Sequence, residues 1–196
     1  MGASELSAAV TISFRPVFLG AHFNNHASSA AGDTGAGAFN IWGNSYPAAQ
    51  LPDPGARISV GGVPFDFPAR RPGGDNIRCA GQFVAVPPGR YDWLHLLTAS
   101  ERRCEDVLAL HFDDGDVDFE ALRVSDFWAA SARFGEQQAF STSQMHYPHH
   151  VQDGVQALMW RQRVPVARSQ PLLGFRLPRN LAIHLFALTQ IGRAHV

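Results

Sequence analysis

Residues 107–124 read VLALHFDDGDVDFEALRV, two apolar-rich runs joined by Asp113-Asp114-Gly115-Asp116. An Asp-Gly step between such runs has the composition of a tight antiparallel turn, because glycine accepts the positive φ that such turns demand. Beyond the turn, Asp118-Phe119-Glu120-Ala121-Leu122-Arg123-Val124 alternates polar and apolar almost residue by residue. That is the period of a strand with one wet face. The stretch predicts a hairpin and, with it, an antiparallel sheet.

Working outward, the same signals recur. Arg57–Val60 and Val63–Phe67 flank Gly61–Gly62 as a second hairpin. Further strands are expected over Asn76–Val86, closed by Pro87-Pro88-Gly89, and over Tyr91–Thr98, Gln156–Val166, Leu172–Leu177 and Ala182–Thr189. Helix is expected only as single turns near Ser45–Gln50 and Glu101–Asp106. Ala27–Gly37 (ASSAAGDTGAG) is the one low-complexity stretch and reads as a flexible surface loop. Short strands punctuated by Pro and Gly predict an all-β fold, an antiparallel β-sandwich or jelly roll. The chain reads as one domain over 1–196, with no internal repeat.

Composition excludes several functions. The 196 residues carry a formal charge of −1 with no basic block, so a nucleic-acid partner is not expected. All 16 basic residues are Arg, which removes Schiff-base catalysis, a phosphate-loop lysine and any Ser–Lys dyad. No stretch reaches the roughly 18 apolar residues that span a bilayer, and the first 30 residues show no basic segment followed by an apolar one. The expectation is therefore no membrane partner and a cytoplasmic protein, or a secreted one if the chain is cut from a larger enzyme. Cys79 and Cys104 are read as buried thiols rather than a disulfide framework. Trp93 and Trp128, within strand-like patterns, are read as core.

Several segments in order carry a resemblance: Phe23-Asn24-Asn25, FNIWGNSYPAAQLP (39–52), VGGVPFDFP (60–68), GGDNIRCAGQ (73–82), LHLL (94–97), HFDDGD (111–116), SDFW (125–128), VPV (164–166) and LPRNLAIHLFALT (177–189). Together they resemble the galactose-binding-like β-sandwich domains that serve as ancillary modules on bacterial glycoside hydrolases. The resemblance covers about Phe14 to Gln190. It implies a sandwich with a carbohydrate or other polyhydroxylated ligand, and Asp75-Asn76 as ligand contacts. It also implies room for a structural calcium, an expectation weakened because this chain has His26-Ala27 where such domains carry Asp-Gly and so lacks that carboxylate. No other cofactor is expected. Small cyanobacterial alkaloid cyclases also resemble carbohydrate-binding modules, so catalysis on such a sandwich has precedent.

Three constellations could carry chemistry. Met145-His146-Tyr147-Pro148-His149-His150 groups three imidazoles, suited to proton transfer near neutrality, or to a metal if a carboxylate completed the set. The sequence assigns no metal. Asp75 and Asn76 with Arg78 and Gln82 offer planar polar groups that pair with diols. Trp42 beside Gly43 and Asn44, with Tyr46, could stack on a flat apolar ligand face. The binding reading places the ligand on Trp42, Asn44, Tyr46, Asn76, Arg78, Gln82, Tyr147 and His150. The alternative is a small enzyme of specialised metabolism, a cyclase, isomerase or lyase, with Asp75, His146 and His149 as proton donor or acceptor. A purely structural or oligomerisation domain fits the same composition. The run Asp113, Asp114, Asp116, Asp118 lacks EF-hand spacing and reads as a solvated hairpin tip.

Overall fold

The computed structural model describes residues 12–193; residues 1–11, part of the stretch read above for a leader, lie outside it. Its first strands are β1 (Ile12–Val17), β2 (Ser28–Ser29), β3 (Tyr46–Pro47), β4 (Arg57–Val60), β5 (Val63–Asp66), β6 (Ile77–Arg78), β7 (Phe83–Gly89) and β8 (Trp93–Ser100). They are followed by β9 (Cys104–Phe112), β10 (Val117–Val124), β11 (Gln137–Ser141), β12 (Gln144–Tyr147), β13 (His150–Asp153), β14 (Leu158–Pro165), β15 (Leu172–Arg176) and β16 (Ile183–Arg193). One sheet runs β1-β16-β8-β14-β11 with β6 also on β16; the other runs β10-β9-β15-β7. All pairings in these two sheets are antiparallel. The protein is an all-β antiparallel sandwich, as its strand periods predict.

Leu94 and Leu96 of β8, Trp160 and Val164 of β14 and Leu185 of β16 meet Val84, Leu110 and Phe175 of the facing sheet in one core. A second core lies on the far side of the larger sheet. There Leu97 and Ala99 of β8 and Met159 of β14 pack against Val60, Val63 and Phe65 of the β4–β5 hairpin, with Phe39, Tyr46 and Met145. The larger sheet is thus a middle layer. This is why β8 is buried from Leu94 to Ser100 and β16 from Ile183 to Gln190, with neither strand showing a wet face. Burying both faces of such strands contributes about 1.5–3 kcal/mol per large apolar side chain. A bulge between Leu185 and Ala187 puts Phe186 and Ala187, consecutive in sequence, into the same outer core.

Both expected hairpins form. Val60 pairs with Val63 across Gly61 and Gly62, at φ +56° and +80°, and β9 pairs with β10 across Gly115. The phase of β10 differs from its expected wet face. Leu122 and Val124 point into the core, so the two-residue period turns Phe119 outward at 73% exposure and leaves Asp118 and Glu120 on the inner side. Arg168 meets Asp118 at 2.7 Å, and burial raises the pKa of Glu120, with Asp118 adding to the shift.

Other expectations need correction. The turn expected over Glu101–Asp106 becomes the start of β9, while Ala48–Gln50 forms one turn of 3-10 helix. The Ala27–Gly37 stretch, expected as a surface loop, contains β2 and a 3-10 turn at Thr34–Ala36, and both Ala27 and Ser29 are fully buried. Trp128 is 51% exposed rather than core, because its neighbour Phe127 takes the inward position against Phe39. Cys79 is buried, Cys104 is only partly so, and both are free. No helix among the described residues is long and apolar enough to cross a membrane.

Candidate ligand site

Asp75 is buried beside β2. Its Oδ1 accepts from Ala27 N (2.7 Å) and Asn76 Nδ2 (2.9 Å); its Oδ2 accepts from Ser28 N (3.0 Å) and Ser28 Oγ (2.5 Å). Four bonds occupy the four lone-pair sites of the carboxylate. Asn76 donates to Asn25 as well and presents Oδ1 to His184 Nδ1 at 2.8 Å. With the amide nitrogen so engaged, Oδ1 is the acceptor and His184 carries its proton on Nδ1. His184 Nε2 lies 3.6 Å from Glu101 Oε1. Burial lowers the pKa of His184, working against the neighbouring Glu101. Glu101 also meets Arg78 Nη2 at 2.5 Å and accepts from Ile41 N. Burial works to raise its pKa, but His184, Arg78 and the Ile41 N–H outweigh that and hold it below the usual carboxylate range. A line of polar groups thus runs from Asp75 through Asn76, His184 and Glu101 to Arg78. The motif IH at 183–184 was the signal for His184; nothing local marked Glu101.

On the other side of β2, Ser29 Oγ lies 2.7 Å from both His146 Nδ1 and Ser45 Oγ. His146 is buried, and burial lowers its pKa against the opposing effect of Ser29. Asp75 and His146 are therefore brought to one dipeptide, Ser28–Ser29, but on opposite flanks of it. His149 and His150 are exposed, and the His150 ring stacks on Tyr147 with centroids 4.9 Å apart. Pro148 sits against Gly43, so the Tyr147–His150 turn adjoins the Trp42 loop. Trp42 is 54% exposed with Arg102 over its ring at 6.0 Å. Asn44 and Tyr46 are buried; the Tyr46 hydroxyl donates to Leu158 O at 2.8 Å. Gln82 accepts from Ala80 N and donates to Arg78 O, bracing its own loop.

Two recesses lie where the outer layer meets the middle sheet, sharing Phe67, Pro68 and Phe186 as walls. The smaller, about 60 Å³, is lined by Leu51, Pro52 and Pro54, with Ser28 and Asp75 beneath and Arg70 beside them. Arg70 spends Nη2 on the carbonyls of Ser28 (2.8 Å) and Ala36 (3.5 Å). The larger, about 210 Å³, is lined by Phe18, Phe23, Asp66 and Arg71. Phe18 is 66% exposed, and the Arg71 guanidinium lies 4.9 Å from its ring centroid. Gly20 makes this possible: a Cβ there would stand 2.6 Å from Phe18 Cζ and 2.7 Å from Arg71 Nε. Of the residues singled out from sequence, only Asp75 borders this groove. The signals for the rest were an apolar Phe18 two residues before Gly20 and the Arg70-Arg71 pair shortly after Phe67-Pro68; both are weak alone.

The calcium implied by the resemblance does not fit these residues. Asn24 is bonded through both amide atoms to the Arg78 backbone, and Asn25 bonds Ala38 and Asn76. In the acidic hairpin, Arg168 reaches Asp114, Asp116 and Asp118. Among the described residues no group of three or more His, Cys, Asp or Glu is placed to hold a metal ion.

Fold and groove together define an all-β sandwich domain with an added outer layer. The chain belongs to the AziU2-like beta-sandwich domain family, which matches residues 13–193. No curated protein matches it.

Proposed function

We propose that the domain is a non-catalytic module that binds a polyhydroxylated small molecule in the groove formed by the two recesses, with the apolar face of the ligand on Phe18. The observation that carries this reading is the exposed Phe18 ring capped by Arg71 beside a recess bordered by Asp66. An aromatic face next to a guanidinium and a carboxylate is the chemistry that recognises a sugar-like ring: stacking on its C–H face and planar polar groups on its hydroxyls. The bonding of Asp75 favours binding over acid–base catalysis. A carboxylate that already accepts four hydrogen bonds offers no lone pair to a substrate proton.

Titration calorimetry against a panel of neutral and acidic mono- and disaccharides tests the reading. At least one member is expected to bind, and Phe18→Ala and Arg71→Gln are each expected to weaken it about fivefold or more. No heat from any member with folded protein, or unchanged affinity in both variants, overturns it.

A further inference from the structure

On the outer-core side of the middle sheet, the covering layer stops at the Gly61–Gly62 turn. Gly61 abuts Gln137 and Arg161 there, with a Cβ at Gly61 placed 3.2 Å from Arg161 Cζ. Beyond it lies a cleft of about 380 Å³ lined by His95, Gly135, Gln137, Arg161, Gln162 and Arg163. Arg161 and Arg163 are two residues apart on β14 and so share a face; His95 of β8 is the direct cross-strand partner of Arg163 and lies on that face too.

Three basic side chains converge here, and no carboxylate is among the residues that line the cleft. No ion pair among the described residues includes Arg161 or Arg163. Glu136, beside the cleft in sequence, is bonded instead to Ser125 N, Ser125 Oγ and Phe134 N. His95 Nδ1 and Arg161 Nε are buried with no hydrogen-bond partner. Unpaired buried polar groups are costly, as are adjacent like charges, and one bound anion relieves both. Burial, then Arg161 and Arg163, push the His95 pKa down to about 4, so the imidazole is neutral near pH 7. The Arg163 guanidinium lies over Trp93, 4.4 Å from the ring centroid.

We infer that this cleft binds the phosphoryl or sulfuryl group of a small molecule, with Arg161, Arg163 and His95 as its contacts. Such a group spreads its charge over three oxygens, one for each side chain, and guanidinium forks match it in geometry. The cleft is separate from the Phe18 groove, and the inference stands whether or not that groove binds a sugar.

The test uses the full chain at constant ionic strength with inorganic phosphate and inorganic sulfate as probes and chloride as the balancing ion. Saturable binding is expected, with a change in Trp93 emission that Trp93→Phe abolishes. Arg161→Gln and Arg163→Gln are each expected to weaken it about tenfold. Arg176→Gln, an exposed arginine of the facing sheet bonded to Gly81 O, is expected to leave it unchanged. Because a variant can fail to fold, the wild-type protein supplies a second readout: phosphate should shift the His95 imidazole resonances and raise their titration midpoint. Preference between the two oxyanions identifies the group carried by the ligand. No saturable response, an equal loss in Arg176→Gln, or unmoved His95 resonances overturns the inference.

Discussion

Asp75 accepts the Ser28 hydroxyl at 2.5 Å and the Ser28 amide at 3.0 Å, clamping a segment 47 residues earlier in the chain against the sheet. Two further donors complete the set. The carboxylate thus acts as a fastener for the outer layer. Asp75→Asn would turn an amide N–H toward backbone N–H groups that need an acceptor. It should cost about 2–4 kcal/mol of stability, read from urea unfolding, while Ser28→Ala should cost about 1 kcal/mol. A destabilisation of Asp75→Asn no larger than that of Ser28→Ala would contradict this role.

Glu101 and Arg78 form the outer end of the polar line, with Glu101 buried and Arg78 partly open to solvent. Glu101→Gln should cost about 1–3 kcal/mol, because it leaves the guanidinium without its charge partner. Combining it with Arg78→Met should restore part of that loss. A double-mutant cycle measures the coupling, and strict additivity would show the pair to be energetically silent.

Gly20→Ala should damage the groove without damaging the fold. The added Cβ displaces the ends of two flexible side chains, Phe18 and Arg71, rather than backbone. Thermal unfolding should change little, while affinity for a bound saccharide should drop to the level of Phe18→Ala. Wild-type affinity in Gly20→Ala would separate the groove from ligand recognition.

Acid should destabilise the protein above the range in which ordinary carboxylates titrate. His95 is pushed down to about 4 and His146 and His184 are also held low, burial being the leading cause in each. The unfolded chain, with histidines near 6.5, then binds more protons than the folded one. The stability difference is fully present above that value and is lost as pH falls toward 4. Unfolding free energy should therefore decline between about pH 7 and 5.5, and His95→Gln should flatten the decline. Equal slopes in the two proteins would exclude His95 as a contributor.

Much of the site lay beyond reach of the sequence, for reasons visible in particular residues. Asn44 and Tyr46 were expected as ligand contacts beside Trp42, yet an outer layer carries both into the interior. His146 is drawn out of its histidine cluster by Ser29, which comes from a segment that reads as low complexity. Trp42 alone among the loop aromatics singled out stands at the surface as expected, and it does so away from the Phe18 groove.

The two glycine hairpins and the strands near Tyr91–Thr98, Leu172–Leu177 and Ala182–Thr189 were determined locally. By contrast, β1, β11, β12 and β13 had no such signal, and the strand expected over Asn76–Val86 divides into β6 and β7, with β7 running through Pro87 and Pro88. A two-residue period and a turn that requires positive φ are properties of a few consecutive residues, and no distant contact changes them. The third layer, the phase of β10 and the two recesses beside Phe67 were decided only by tertiary structure. β8 and β16 carry large apolar residues on both faces, so nothing in their own pattern says what covers the second one. Phe18, Phe67, Arg71 and Phe186 become neighbours only when the Gly61–Gly62 hairpin folds back over the sheet, because burying the second face of β16 is what brings them together.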